Sequence, residues 1–409
     1  MTHNLALSIR LIFLLASLSL WHGLNAEWNR HTIDDTSNGA DGVRLEDVNG
    51  DGLMDIATGW EEGGLVRIYL HPGKDKVHSP WPSVTVGHVK SPEDAVFADM
   101  DGDGITDVVS SCEGKTKSVF VHWAPKNKHD YLNASKWETE AIPSLEKESM
   151  WMFCQPARID KNTSIDLVVG SKGEKASIGW LEAPREGRVL EDWQWHPVYE
   201  AGWIMSIMTF DADHDGDQDI LISDRRKSNS GVVLLENPHD NVQGKRPLTW
   251  KEHRVGPTGS EVLFIDYSQP TQEPDMTVWA AVKPNVIWQL KSGHPFSETW
   301  EQEIFQMPDW MSRSKAVRHG DLNMDGHTDL VVNCEGAEEG KSGMAWFTPT
   351  SSINGPKAKP AFHDIAGPQG IKFDRIELLD LDMDGDLDVM TCEERENLGV
   401  VWYENPHIK

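Results

Sequence analysis

The nonapeptide Asp99-Met100-Asp101-Gly102-Asp103-Gly104-Ile105-Thr106-Asp107 runs directly into the β-branched stretch Val108-Val109-Ser110, and four further copies occur in the chain. They are built on Asp47, Asn49, Asp51 and Asp55; on Asp211, Asp213, Asp215 and Asp219; on Asp321, Asn323, Asp325 and Asp329; and on Asp380, Asp382, Asp384 and Asp388. Each copy puts side-chain oxygens at loop positions 1, 3, 5 and 9 and a glycine at position 6. Alternate side chains can converge inside so tight a loop only if one residue accepts the sharp reversal, and glycine does so without steric cost. A cage of oxygens on this pattern suits a hard cation, which takes about six to eight oxygen ligands. Five structural Ca²⁺ sites are therefore expected, one per loop.

An EF-hand opens in the same way but needs Glu at position 12 and a helix on each side. Here position 12 is Thr58, Ser110, Ile222, Val332 or Thr391, and each loop leads into a short apolar run that reads as a buried strand. Two more units keep the frame with damaged loops. In one, Arg158 stands at position 1 and Thr163 at position 6, so a cationic side chain is expected to replace the ion. In the other, the segment 266–275 is one residue too long and carries Pro270 and Pro274, so no ion is expected.

The seven loops begin at 47, 99, 158, 211, 266, 321 and 380, a period of 52 to 59 residues. Room for four strands per period makes an all-β, seven-bladed propeller of four-stranded blades. A Trp-led amphipathic strand at 28–33 precedes the first unit, with relatives at 84–86, 137–142, 195–198, 250–255, 300–304 and 362–365. The chain ends on the third strand of its seventh unit, so the N-terminal strand is expected to complete the last blade and remove two exposed sheet edges. Residues 27–409 then form a single propeller domain.

The net charge of −28 argues against a nucleic-acid partner. Much of it belongs to the loops, whose positions 1, 3, 5 and 9 hold eighteen of the 66 acids. Residues 1–26 combine Arg10, an apolar run and Leu-Asn-Ala before Glu27, the pattern of a signal peptide, so a secreted protein, periplasmic or extracellular, is expected. No later run approaches the ~20 apolar residues of a membrane helix, and no membrane span is expected. Four cysteines in a chain able to bury a large core are expected to be free thiols, and the protein to be a monomer.

The Asp-x-Asp-x-Asp-Gly-x-x-Asp loops between blade strands resemble those of the FG-GAP/VCBS repeat family, which includes the calcium-bearing propeller of integrin α subunits. The resemblance covers nearly the whole chain after residue 26. It implies the propeller and the Ca²⁺ sites; the roles it implies range from adhesion modules to carbohydrate-associated proteins, including secreted sugar dehydratases of similar fold.

Calcium loops and the next turn of each blade open on opposite faces of a propeller. Some six residues beyond each closing Asp, that turn carries Glu61, Glu113, Lys172, Arg225, Lys283, Glu335 and Glu393. In ring order the glutamates form one arc, over blades 6, 7, 1 and 2, and the cations another, over blades 3, 4 and 5. Segregated charge converging on one opening calls for a counter-charge from a small anionic or dipolar ligand, a carbohydrate, or a metal on the glutamate arc. Asp41, Glu93, Asp94, Glu261, Lys315, Lys372 and Asp374 sit nearby, where blades begin. Trp151 and Trp203 lie there too and could stack on a sugar ring, with core packing as their competing role. No nucleophile triad, HExxH helix, CxxC pair or phosphate loop is present. The expected function is thus a ligand-binding module associated with carbohydrate. A sugar lyase or dehydratase working in the central funnel, and an adhesion module, are the alternatives.

Overall fold

The computed structural model describes residues 27–160, 164–185, 187–238, 249–269, 275–349 and 359–407. The expected signal peptide and parts of the two damaged loops (161–163 and 270–274) lie outside them. Seven antiparallel four-stranded sheets make the ring. The first blade consists of β2 (Ala40–Glu46), β3 (Asp55–Trp60), β4 (Leu65–Tyr69) and β5 (Ser83–Gly87), from the axis outward. β3 is buried along its whole length because a neighbouring blade covers each face, which is why its sequence runs apolar without alternation. The core accordingly lies between blades: Ile56, Trp60 and Tyr69 of the first blade pack with Met390, Val400 and Trp402 of the last.

The last blade is closed by the N-terminal strand. β1 (Asn29–Asp34) pairs antiparallel with Gly399–Glu404, with Arg30 opposite Tyr403 and His31 opposite Trp402. Asp34, at the end of β1, crosses to the first blade: its carboxylate accepts hydrogen bonds from Tyr69 Oη (2.8 Å) and from the Arg67 guanidinium. The recurring outer-strand histidines have a packing role. His31 stacks on Trp402 (4.5 Å) and bonds Glu404 (2.9 Å), and His196 repeats this with Trp180 (4.7 Å) and Glu182 (2.8 Å). All four cysteines are buried free thiols. Among the described residues no helix is long and apolar enough to cross a membrane.

The sequence does not announce one shared irregularity. Every inner strand carries one extra residue against its neighbour near the charged turns; on β2, Asp41 faces Gly59 but Arg44 faces Ala57. Such a bulge re-aims side chains. Here it lets neighbouring residues of one inner strand serve different parts of the central channel, Glu93 towards Lys172 and Asp94 towards Arg44.

Candidate metal loops and the charged turn face

Each acidic loop is folded around its first aspartate. Asp47 accepts the backbone N–H groups of Gly50 (2.8 Å), Asp51 (3.0 Å) and Gly52 (2.8 Å). Asp99, Asp211, Asp321 and Asp380 likewise hold the position 6 glycine at 3.0 to 3.1 Å. That glycine is left-handed in every copy, from φ 83° at Gly326 to 109° at Gly385. The side chains do converge: single oxygens of Asp99, Asp101 and Asp107, and of Asp211, Asp213 and Asp215, lie within 4.8 Å of one another. An all-oxygen, carboxylate-rich set of this kind fits a hard cation.

Position 9 also has work that no ion explains. Asp55 accepts from Val48 N (3.1 Å) and His71 N (2.8 Å), tying the loop to the exit of β4. Asp107, Asp219 and Asp388 make the same pair of bonds. So does Asp166 of the third blade, bonded to Ile159 N (3.0 Å) and Ala183 N (2.9 Å) although that loop has lost its first acid. The closing aspartate is a fold residue first, and it keeps this role in blade 3, where Arg158 stands at position 1.

On the opposite face the turn residues come together as a ring, with two corrections. Glu393 does not face the opening. It is fully buried and accepts the N–H groups of Ile371 (3.1 Å), Lys372 (3.1 Å), Arg395 (2.9 Å), Glu396 (3.0 Å) and Leu398 (3.2 Å), as Asp224 does for Gly202, Trp203 and Arg226 in blade 4. The ring position belongs to Glu394, which stands six residues past Asp388, the spacing of the other copies. Trp151 is the second correction: it is buried between blades 2 and 3, donates to Leu145 O (2.9 Å) and meets Trp195 edge-on. Its apolar surface belongs to the core.

The basic arc is matched from within. Lys172 pairs with Glu113 and Glu93, Arg225 with Glu261 (2.6 Å), and Lys283 with Glu335. Trp203 is the platform beneath them, with Lys172 Nζ 4.6 Å and Arg225 Cζ 4.5 Å from its ring centre. Cations thus cover the face that a sugar would need. Acid remains in excess over blades 7, 1 and 2. Oxygens of Asp41, Asp374 and Glu394 lie within 4.8 Å of one another, as do those of Asp41, Glu61 and Glu93. Two lysines serve this cluster: Lys315 pairs with Asp374 and with Glu394 (3.1 Å), and Lys372 with Glu394.

Residues 47–110 match the family model of the FG-GAP-like repeat. This chain is a seven-bladed propeller in which residues 47–110 are similar to that repeat. No curated protein matches it. Among solved structures, the crystal structure of BBS1N in complex with ARL6DN, soaked with mercury, is similar at 10% identity and a TM-score of 0.49, over 92% of this chain and 96% of that one.

The electrostatics of the propeller single out the acidic cluster. Burial, then the charges of Asp374, Glu394 and Glu93, push the Asp41 carboxyl well above the usual carboxylate range. Burial followed by Glu93, Glu62 and Glu394 raises Glu61 to about 7, with Lys372 opposing. Asp374 moves the other way: burial would raise it, but Lys315 and its neighbours hold it low. Groups pushed apart in this manner can share one site as proton donor and acceptor at neutral pH. Asp41, Glu93, Asp374, Lys315 and Lys372 were legible in the sequence as blade-start residues. Glu394 was missed, although its signal was present in the loop spacing.

Proposed function

We propose that this propeller is an exported, calcium-stabilised binding module that acts as a monomer and takes a carbohydrate on its turn face, over blades 7, 1 and 2. The observation that carries the reading is the acidic cluster around Asp41, Glu61, Glu93, Asp374 and Glu394, left in excess where the rest of the ring is paired. Carboxylates accept from vicinal hydroxyls, lysines donate to ring and glycosidic oxygens, and an amino sugar would in addition neutralise the excess charge. Ca²⁺ would be held by positions 1, 3 and 5 of the five complete loops together with the closing aspartate. There it cross-links each loop and offsets its like charges. Export rests on the pattern of residues 1–26.

A second reading has its own observation. Glu61, raised to about 7 and facing Lys372, has the properties of a general base beside a cation, the pair that a sugar lyase or dehydratase needs to remove a proton next to a carbonyl. Isothermal titration with neutral, amino and acidic sugars, followed by assay for unsaturated products, tests both readings. Saturable binding that is weakened by Glu61→Gln supports the module. Turnover abolished by Glu61→Gln with affinity kept supports the enzyme. If no sugar gives saturable heat, the carbohydrate assignment is wrong.

A further inference from the structure

The central channel also holds an arginine without an ion pair among the described residues, at the other end from the acidic cluster. A cavity of about 1000 Å³ opens towards the metal loops and is lined by the inner strands, with Arg44, Arg318 and Arg375 in its wall. Two of these arginines are satisfied. Arg44 grips Asp94 with both arms of its fork (2.9 and 2.7 Å), and Arg318 holds Glu377 (2.6 Å) and Asp266 (3.2 Å). Asp266 also receives His319, and Glu46, the remaining acid of the wall, accepts from Thr106 Oγ1 (3.2 Å).

Arg375 has no such partner. It is 8% exposed, and among the described residues its Nη1 is buried without a hydrogen bond and no carboxylate forms an ion pair with it. Its guanidinium lies 5.6 Å from the Phe264 ring centre, and its stem passes over Gly42, where an added Cβ would sit 3.9 Å from Arg375 Cδ. Burial, with Arg44 and Arg318 adding to it, brings Arg375 down to about 10 despite Glu377 and Asp94. A buried guanidinium left unpaired is costly, and an oxyanion that accepts from its fork relieves that cost directly. Arg375 lines this cavity, in a wall where Asp266 and Glu377 are held by Arg318 and the nearby Asp94 by Arg44.

We propose that Arg375 anchors an anion site in the central channel, and that its ligand is a small oxyanion, a carboxylate or sulfate group, entering from the metal-loop face. The planar fork favours two-point contact with such a group over a halide. The channel leaves room for the group to be carried on a monosaccharide-sized molecule.

Melting of the whole purified chain in sodium sulfate, sodium glucuronate and sodium chloride at matched ionic strength, with glucose as neutral control, tests this against Arg375→Met. Sulfate strengthens burial in any protein, so the readout is the difference between wild type and variant. The expected result is a saturable rise in Tm, larger by at least about 2 °C in wild type, with at least one oxyanion and not with chloride or glucose. Glucuronate alone acting identifies a carboxylate ligand; sulfate alone identifies a tetrahedral one. Equal rises in both proteins overturn the proposal. Should Arg375→Met not fold, titration calorimetry of wild type and Arg375→Lys decides. Saturable heat in wild type, with affinity at least about tenfold weaker in the lysine variant because the fork is lost, supports the site. Absence of saturable heat in wild type, or equal affinity in both, overturns it.

Discussion

Asp34 is the bolt that fastens the closing strand to the first blade, and Asp34→Ala measures what that bolt contributes. The carboxylate is 6% exposed and accepts four hydrogen bonds, from Thr36 N (3.0 Å), Thr36 Oγ1 (2.7 Å), Tyr69 Oη (2.8 Å) and Arg67. Removing it leaves the hydroxyl proton of a fully buried Tyr69 without an acceptor and the Arg67 guanidinium without its carboxylate. An unsatisfied buried donor costs about 1–3 kcal/mol, and breaking a buried ion pair about 3–5 kcal/mol. Because Arg67 keeps Thr36 Oγ1 (2.8 Å) and some contact with solvent, the expected loss is ~3–4 kcal/mol at pH 7. The pH dependence has a definite sign. Burial alone would raise the carboxyl, but the bonds from Thr36, Arg67 and Tyr69 outweigh it and set Asp34 below its ordinary 3.8. Its contribution is therefore present in full above that value and is lost as pH falls through the lower folded one. Urea unfolding followed by tryptophan fluorescence should show a gap between wild type and Asp34→Ala that is constant from pH 7 to about 5 and narrows below about 4. Arg67→Met in the Asp34→Ala background should cost less than it does alone. A gap within about 0.5 kcal/mol at pH 7, or one unchanged down to the lowest pH at which both proteins fold, would refute the reasoning.

Two other outcomes follow from the same geometry. Metal analysis of dialysed protein should find about five calcium ions per chain, and EDTA should lower the melting temperature because an ion bound only by the folded state stabilises it by mass action; Asp103→Ala should lower calcium content by one, with an effect on stability that nearly vanishes in EDTA, and calcium-free protein with a melt indifferent to chelator would sink the assignment. Deleting residues 27–35 should leave Gly399–Glu404 as an open edge and expose the blade-1 core around Tyr69 and Trp60, giving early unfolding or aggregation, whereas a monomer with an unchanged melt would show that β1 does not close the ring.

Local chemistry carried most of the fold into the sequence. A loop that must turn sharply while holding acids at positions 1, 3, 5 and 9 is written in nine consecutive residues, and its recurrence every 52 to 59 residues sets the number of blades. Even the closure by 28–33 was legible, because the seventh unit lacks a strand that the N-terminus supplies. Contacts between blades were not legible in that way. Glu393 and Glu394 differ by one position, yet the strand ends between them, so one becomes a buried anchor and the other, in the turn, a member of the acidic cluster. The charged arcs are segregated along the chain but pair where blades meet, Lys172 with Glu113 and Lys283 with Glu335, because ring closure sets residues some fifty apart side by side. Trp151 and Trp203 look alike in sequence; packing between blades buries one and sets the other beneath three cations. The isolation of Arg375 was the least accessible of all. It depends on where the other two channel arginines find their acids, Arg44 on Asp94 of the next blade and Arg318 on Asp266 and Glu377 of the blades on either side, and such pairings exist only once the ring has closed.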